Sequence, residues 1–188
     1  MIWALRGSIT RKSTNSIAID TGNVVYEVFF ALKEIENLKE GQDILVYIRE
    51  NAKEAEPIEL IGFLSEERRY LYDMLVSVNG IGSKNALKIM DFIDLETLST
   101  SVESKDVKFL SSLPGIGQKT AERIILELSG KIKEIGRSDL KLGEAVETLI
   151  ALGFSRNEAF VAVKRAIDSG ARELEDIVKI ALSTVRKV

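Results

Sequence analysis

Two hydrophobic periods divide the chain. Over the first 63 residues apolar side chains recur at every second position in short runs rich in Ile, Val, Tyr and Phe, as in Ser16-Ile17-Ala18-Ile19-Asp20. That period predicts strands over 2–10, 16–20, 23–30, 43–49 and 58–63, separated by turn residues such as Thr21-Gly22-Asn23 and Glu40-Gly41. Five strands with one longer excursion at 31–39, room for a helical turn, fit a small closed barrel of the OB type. An open β-sandwich fragment is the competing architecture.

From Ser65 onward the period becomes helical. Leu71, Met74, Leu75 and Val78 form one stripe, Phe109, Leu110 and Leu113 a second, and Ile124, Ile125 and Leu128 a third. Ser129-Gly130 is expected to end that helix, and the polar run 131–141, which includes Gly136, reads as a linker. Three short helical patterns follow. Ala145, Val146, Leu149 and Ile150 make the first, stopped by Gly153. Ser155 and Glu158 have capping-box spacing ahead of Ala159, Ala162, Val163 and Ala166, and Gly170 closes that helix. Leu174, Ile177 and Ala181 make the third. The expected organisation is multidomain: a barrel over 1–63, an all-α domain over 64–130, a linker over 131–141 and a three-helix bundle over 142–188.

The central domain contains a repeat. Residues 76–90 read VSVNGIGSKNALKIM and residues 111–125 read SSLPGIGQKTAERII, identical at seven of fifteen positions with a period of 35. Each copy predicts a helix, a tight Gly-x-Gly turn and a second helix that opens on a lysine. Glycine leaves no side chain at the turn, so another backbone can approach. Ile81 and Ile116 would pin each turn to its helices. Amides at the start of the second helix favour an anion, with Lys84 and Lys119 in reach of it. Such a cradle grips phosphate and ignores bases. A lone copy would fit a tight helix–helix connection equally well; two copies with lysine at the same offset favour the phosphate cradle. A nucleotide P-loop is rejected, since its earlier glycine is missing and no strand precedes Gly117-Gln118-Lys119-Thr120.

Composition narrows the chemistry. With no Cys and no His, thiolate nucleophiles, disulfides, imidazole bases and Cys- or His-ligated metals are excluded, which favours a binding protein without cofactor or metal. The 26 basic and 29 acidic residues give a net charge of −3, and no third of the chain is strongly basic. Nucleic-acid binding must therefore rest on local geometry rather than on overall charge. No apolar run reaches membrane-spanning length and the N-terminus lacks a secretory pattern, so a cytoplasmic location is expected.

The doubled pattern is the helix-hairpin-helix motif, and its place after a five-stranded barrel closely resembles the RuvA family of Holliday-junction-binding proteins. The resemblance covers nearly the whole chain: Met1-Ile2, Leu5-Arg6-Gly7, Tyr26-Glu27-Val28, Gly62-Phe63, both hairpins, Lys119-Thr120-Ala121-Glu122-Arg123 and Ala151-Leu152-Gly153-Phe154. It implies a non-catalytic homotetramer, one or two per junction, that holds four-way junction DNA open and square. It implies phosphate contacts from Asn79, Gly80, Ile81, Gly82, Ser83 and Lys84, and from Leu113, Pro114, Gly115, Ile116, Gly117, Gln118, Lys119 and Thr120. Acidic residues at the junction centre would be Glu50, Glu54 and Glu56, although Asn51 stands where the family usually has a second, adjacent acid. The C-terminal bundle would bind the RuvB ATPase motor through Leu149, Leu152, Phe154 and Ile167, and the RuvC resolvase is a further implied partner.

Two other readings compete. A helix-hairpin-helix repair enzyme, a glycosylase or nuclease, could use acids such as Asp91 and Asp94 after the first hairpin. A single-strand platform could stack bases on Tyr26, Phe29 and Tyr47.

Overall fold

The computed structural model describes residues 1–52, 57–171 and 173–185; within the helix that crosses 133–140 only the backbone is described. All five predicted strands form: β1 (Ala4–Lys12), β2 (Ser16–Asp20), β3 (Val25–Phe29), β4 (Asp43–Asn51) and β5 (Glu59–Phe63). They close into a barrel in the order β1-β2-β3-β5-β4. Every pairing is antiparallel except β3 with β5, which run parallel. The excursion before β4 holds one helical turn, α1 (Leu32–Ile35). Alternation places Ile17, Ile19, Val28, Val46 and Ile48 inside, with Phe30 and Ile35 completing the core.

Seven further helices follow: α2 (Glu66–Val76), α3 (Ser83–Met90), α4 (Leu95–Glu103), α5 (Val107–Ser112), α6 (Gln118–Ala151), α7 (Arg156–Asp168) and α8 (Leu174–Val185). Side chains that also favour helix starts in peptides cap four of them. Ser65 accepts from the Arg68 amide, Asp94 from Thr97, Asp106 from Phe109, and Ser155 with Glu158 forms the expected capping box.

The chain packs as two compact units, residues 1–129 and 130–188. In the first, the barrel is fastened to the helical domain by polar contacts. The Arg49 guanidinium pairs with both oxygens of Asp73, one bond measuring 2.7 Å. Arg68 donates to the carbonyls of Met90 (2.8 Å) and Ile93 (3.1 Å) and lies 3.7 Å from Glu34. Arg69 is buried, with its guanidinium 3.7 Å over the Trp3 ring. Phe63 and Tyr72 meet with ring centroids 5.0 Å apart.

Glu34 carries a cost in this seam. Burial raises its carboxyl above the usual range, opposed by the Leu64 amide and Arg68, and its Oε2 has no partner. A folded-state pKa raised above the unfolded one means that ionised Glu34 opposes folding, and that protonation relieves the penalty as pH falls through the raised value. Glu34→Gln, which keeps an acceptor for Leu64, is expected to remove that pH-linked increment. The difference in unfolding free energy between variant and wild type, followed by denaturant titration, should narrow as the pH is lowered. A difference independent of pH would contradict the assignment.

The second unit is built on small residues. Ala145, Ala159, Ala162, Ala166 and Ala181 surround Leu149, Val163 and Ile177, so the helices pack closely. Two expectations are corrected here. The helix does not end at Ser129-Gly130, because α6 runs on through 131–141 without interruption. A lone helix-interior glycine costs only about 1 kcal/mol relative to alanine, and the Lys, Glu, Arg and Leu around it are good helix formers. Leu149, expected at a partner surface, is fully buried in the bundle core.

Candidate nucleic-acid interface

The repeated segments build two hairpins of the same shape. In the first, α2 and α3 flank a turn at Gly80 with φ of +98°; in the second, α5 and α6 flank a turn at Gly115 with φ of +70°. Both angles are left-handed, which side chains rarely adopt. Ile81 and Ile116 are buried beneath their turns, as are Val78 and Leu113. Each turn therefore hangs from the apolar core by its middle residue, as the repeat predicts.

The outer edges are open. A Cβ placed on Gly82 or Gly117 would meet no protein atom within 4 Å. The first helical hydrogen bonds run from Asn85 and Ala86 to the Gly82 carbonyl, and from Ala121 to the Gly117 carbonyl. The amides before them are the unpaired donors of a helix start, and no side chain caps α3. Lys84 and Lys119 are exposed beside those amides, as are Asn79 and Gln118; Pro114 and Thr120 are half-buried. Ser83 is committed inward, because its hydroxyl accepts from the Tyr72 hydroxyl at 2.7 Å. Free amides, exposed lysines and unobstructed glycines together suit an approaching phosphate.

The two hairpins also brace each other, which the repeat alone did not reveal. Arg123, on α6 after the second hairpin, donates to the Asn79 carbonyl of the first turn at 2.8 Å. The Asn79 amide in turn donates to Glu127 at 3.3 Å. Asn85, on α3 after the first hairpin, reaches the Gly115 carbonyl of the second turn at 3.4 Å. The spacing between the cradles is thereby held by side chains from opposite copies. The one available signal was the match of Lys88 and Arg123 in charge at equivalent positions of the repeat.

The acidic residues divide differently. Glu50 lies in β4, opposite Leu60 of β5, and not in a loop. Its carboxylate accepts from the Ile2 amide at 2.7 Å and sits 3.7 Å from the N-terminal ammonium. Glu50 thus anchors the start of the chain with its charge locally balanced. Glu54 and Glu56 lie outside the described residues. In the second unit Leu152 is exposed, while Phe154 and Ile167 are partly buried against the core.

The acids considered for catalysis have structural occupations. Asp91 accepts from the Lys33 amide at 2.9 Å, and Asp94 caps α4, where hydrogen bonds from the Thr97 hydroxyl and amide hold its carboxyl below the usual range. Nor do the three candidate stacking residues form a platform. Tyr26 packs against the barrel core, Tyr47 lies beneath Arg69 at 5.6 Å, and Phe29 lines a cavity. No helix among the described residues is long and apolar enough to cross a membrane.

A closed OB-type barrel carrying two braced hairpins defines a tandem helix-hairpin-helix protein. Family models match along the chain: the RuvA N terminal domain over residues 1–60, the SAM-like helix-hairpin-helix tandem over 72–129, and the RuvA C-terminal domain over 140–184. Curated relatives named Holliday junction branch migration complex subunit RuvA are similar over their full length. That of Thermosipho africanus is 37% identical over 97% of each chain, and that of Neisseria meningitidis 36% over 100% of each. That of Caldanaerobacter subterraneus is 34% identical, again over 100% of both chains. The chain belongs to the RuvA family.

Proposed function

We propose that this protein is the DNA-binding subunit of a branch-migration complex, recognising four-way junctions by shape and by phosphate contacts and taking no catalytic step itself. The observation that carries the reading is the pair of cradles held at fixed spacing by Arg123 and Asn85. Contacts of this kind specify backbone geometry and leave base sequence unread. Several subunits on one junction would multiply weak contacts, which offsets a chain of net charge −3. We take the working form to be a cytoplasmic homotetramer, with Glu54 and Glu56 repelling phosphates at the junction centre. The C-terminal unit would recruit the RuvB motor through Leu152 and Phe154, and RuvC would act on the same complex.

The test is a mobility-shift titration of a synthetic four-way junction against linear duplex of the same sequence, with the mass of the free protein measured in solution. A tetramer that prefers the junction by at least about a hundredfold is expected, well within the range over which DNA-binding proteins discriminate. Equal affinity for both DNAs would overturn the reading, as would a monomer.

A further inference from the structure

A cavity of about 440 Å³ lies on the seam between the barrel and α3, inside the first compact unit. Its barrel side is formed by Phe29, Leu32 and Glu59, and its helical side by Lys84, Leu87 and Lys88. The volume falls in the range of small-molecule sites, where mostly apolar walls carry a few polar groups. Along part of the seam ion pairs and the tilted Phe63–Tyr72 contact close the gap; here it stays open.

The contents of this cavity point to one occupant. Lys84 belongs both to its wall and to the first phosphate cradle, so the cavity is continuous with the hairpin surface. Lys88, one helical turn further along α3, adds a second exposed cation. Phe29 and Leu87, both half-buried, offer apolar surface on which a base can stack. Glu59 and Asp91 each accept one hydrogen bond, from the Asn51 side chain at 2.8 Å and the Lys33 amide at 2.9 Å. Carboxylates keep further lone pairs for the exocyclic amino group of adenine, cytosine or guanine. Glu59 also opens β5, directly after the acidic segment assigned above to the junction centre. Phosphate-binding cations, a stacking wall and amino-group acceptors thus meet beside the first cradle.

We propose that this cavity receives one unpaired nucleobase, one bearing an exocyclic amino group in preference to thymine, from the strand leaving the crossover, while Lys84 and Lys88 hold its flanking phosphates. The proposal rests on the junction-binding reading. Base pairs beside a crossover have lost a stacking neighbour and are the least costly to open.

The experiment uses the full chain and immobile junctions carrying a single 2-aminopurine at the first, second or third nucleotide from the crossover. With wild-type protein, one position is expected to brighten about threefold or more as the base leaves the stack, and to resist acrylamide quenching because it is enclosed. Leu32 is half exposed, so Leu32→Trp fills the cavity mouth without entering the barrel core, and it should abolish the protected emission while the mobility shift persists. Leu32→Ala, which widens the mouth, should retain the protected emission. Brightening that acrylamide quenches freely would overturn the proposal, as would protected emission undiminished in Leu32→Trp, or no brightening at any position. Loss of the mobility shift with wild-type protein would instead bring down the junction reading, and this proposal with it.

Discussion

Replacing Lys84 and Lys119 together with alanine is expected to lower affinity for a four-way junction by about a hundredfold or more at moderate salt, and to flatten its salt dependence. Both side chains are exposed at the start of a helix whose first amides are free, so their removal uncovers no buried group and leaves the fold intact. The loss should be electrostatic. Each lysine that neutralises a duplex phosphate contributes about 0.9 to the slope of log affinity against log salt, so the slope should fall by about that amount per contact removed. Fluorescence anisotropy at several salt concentrations reads both quantities. Weaker binding with an unchanged slope would mean that the lysines act through structure and not through phosphate contact.

The second large effect concerns folding. A Cβ on Gly7 would lie 2.1 Å from the Asp20 carbonyl oxygen and 2.8 Å from its carbonyl carbon, across the β1–β2 pairing. Backbone on a paired strand cannot swing aside as a side-chain tip can. Gly7→Ala is expected to destabilise by about 3 kcal/mol or more, at the upper end for overpacking. In the first unit this corresponds to a fall in Tm on the order of 10 °C. Gly143→Ala is the matched control. That glycine sits within α6 and its Cβ would meet nothing within 4 Å, so alanine should raise stability slightly through helix propensity. Thermal unfolding followed by circular dichroism distinguishes the two, and similar midpoints for Gly7→Ala and wild type would refute the packing argument.

Gly7 also explains why part of the fold is legible in the sequence. Leu5-Arg6-Gly7 and Gly62-Phe63 carried the family resemblance, and both glycines prove to be places where the barrel leaves no space for a side chain; a Cβ on Gly62 would lie 2.4 Å from the Phe30 ring. The strands were legible because alternation is a local signal, and the hairpin turns because Gly-Ile-Gly occurs twice at one spacing. The parallel closure of β3 on β5 was not legible, since strand order depends on partners distant in sequence. The continuation of α6 past Ser129-Gly130 was not legible for a related reason. A glycine followed by a polar run marks a helix end locally, yet one interior glycine costs only about 1 kcal/mol in a helix that is formed on both sides of it. Glu50 was carried into the loop by the resemblance, which does not say where a strand ends, whereas β4 extends through Asn51 by pairing with Glu59.

The cross-bracing of the hairpins has an evolutionary consequence. A segment repeated at a period of 35 is the mark of an internal duplication. Had the copies remained equivalent, the braces would occupy matching positions. They do not: the residue matching Asn85 is Thr120, and the residue matching Arg123 is Lys88. Each half now supplies a hydrogen bond to the turn of the other, so a substitution at Asn85 or Arg123 is expected to loosen the cradle of the opposite copy rather than its own.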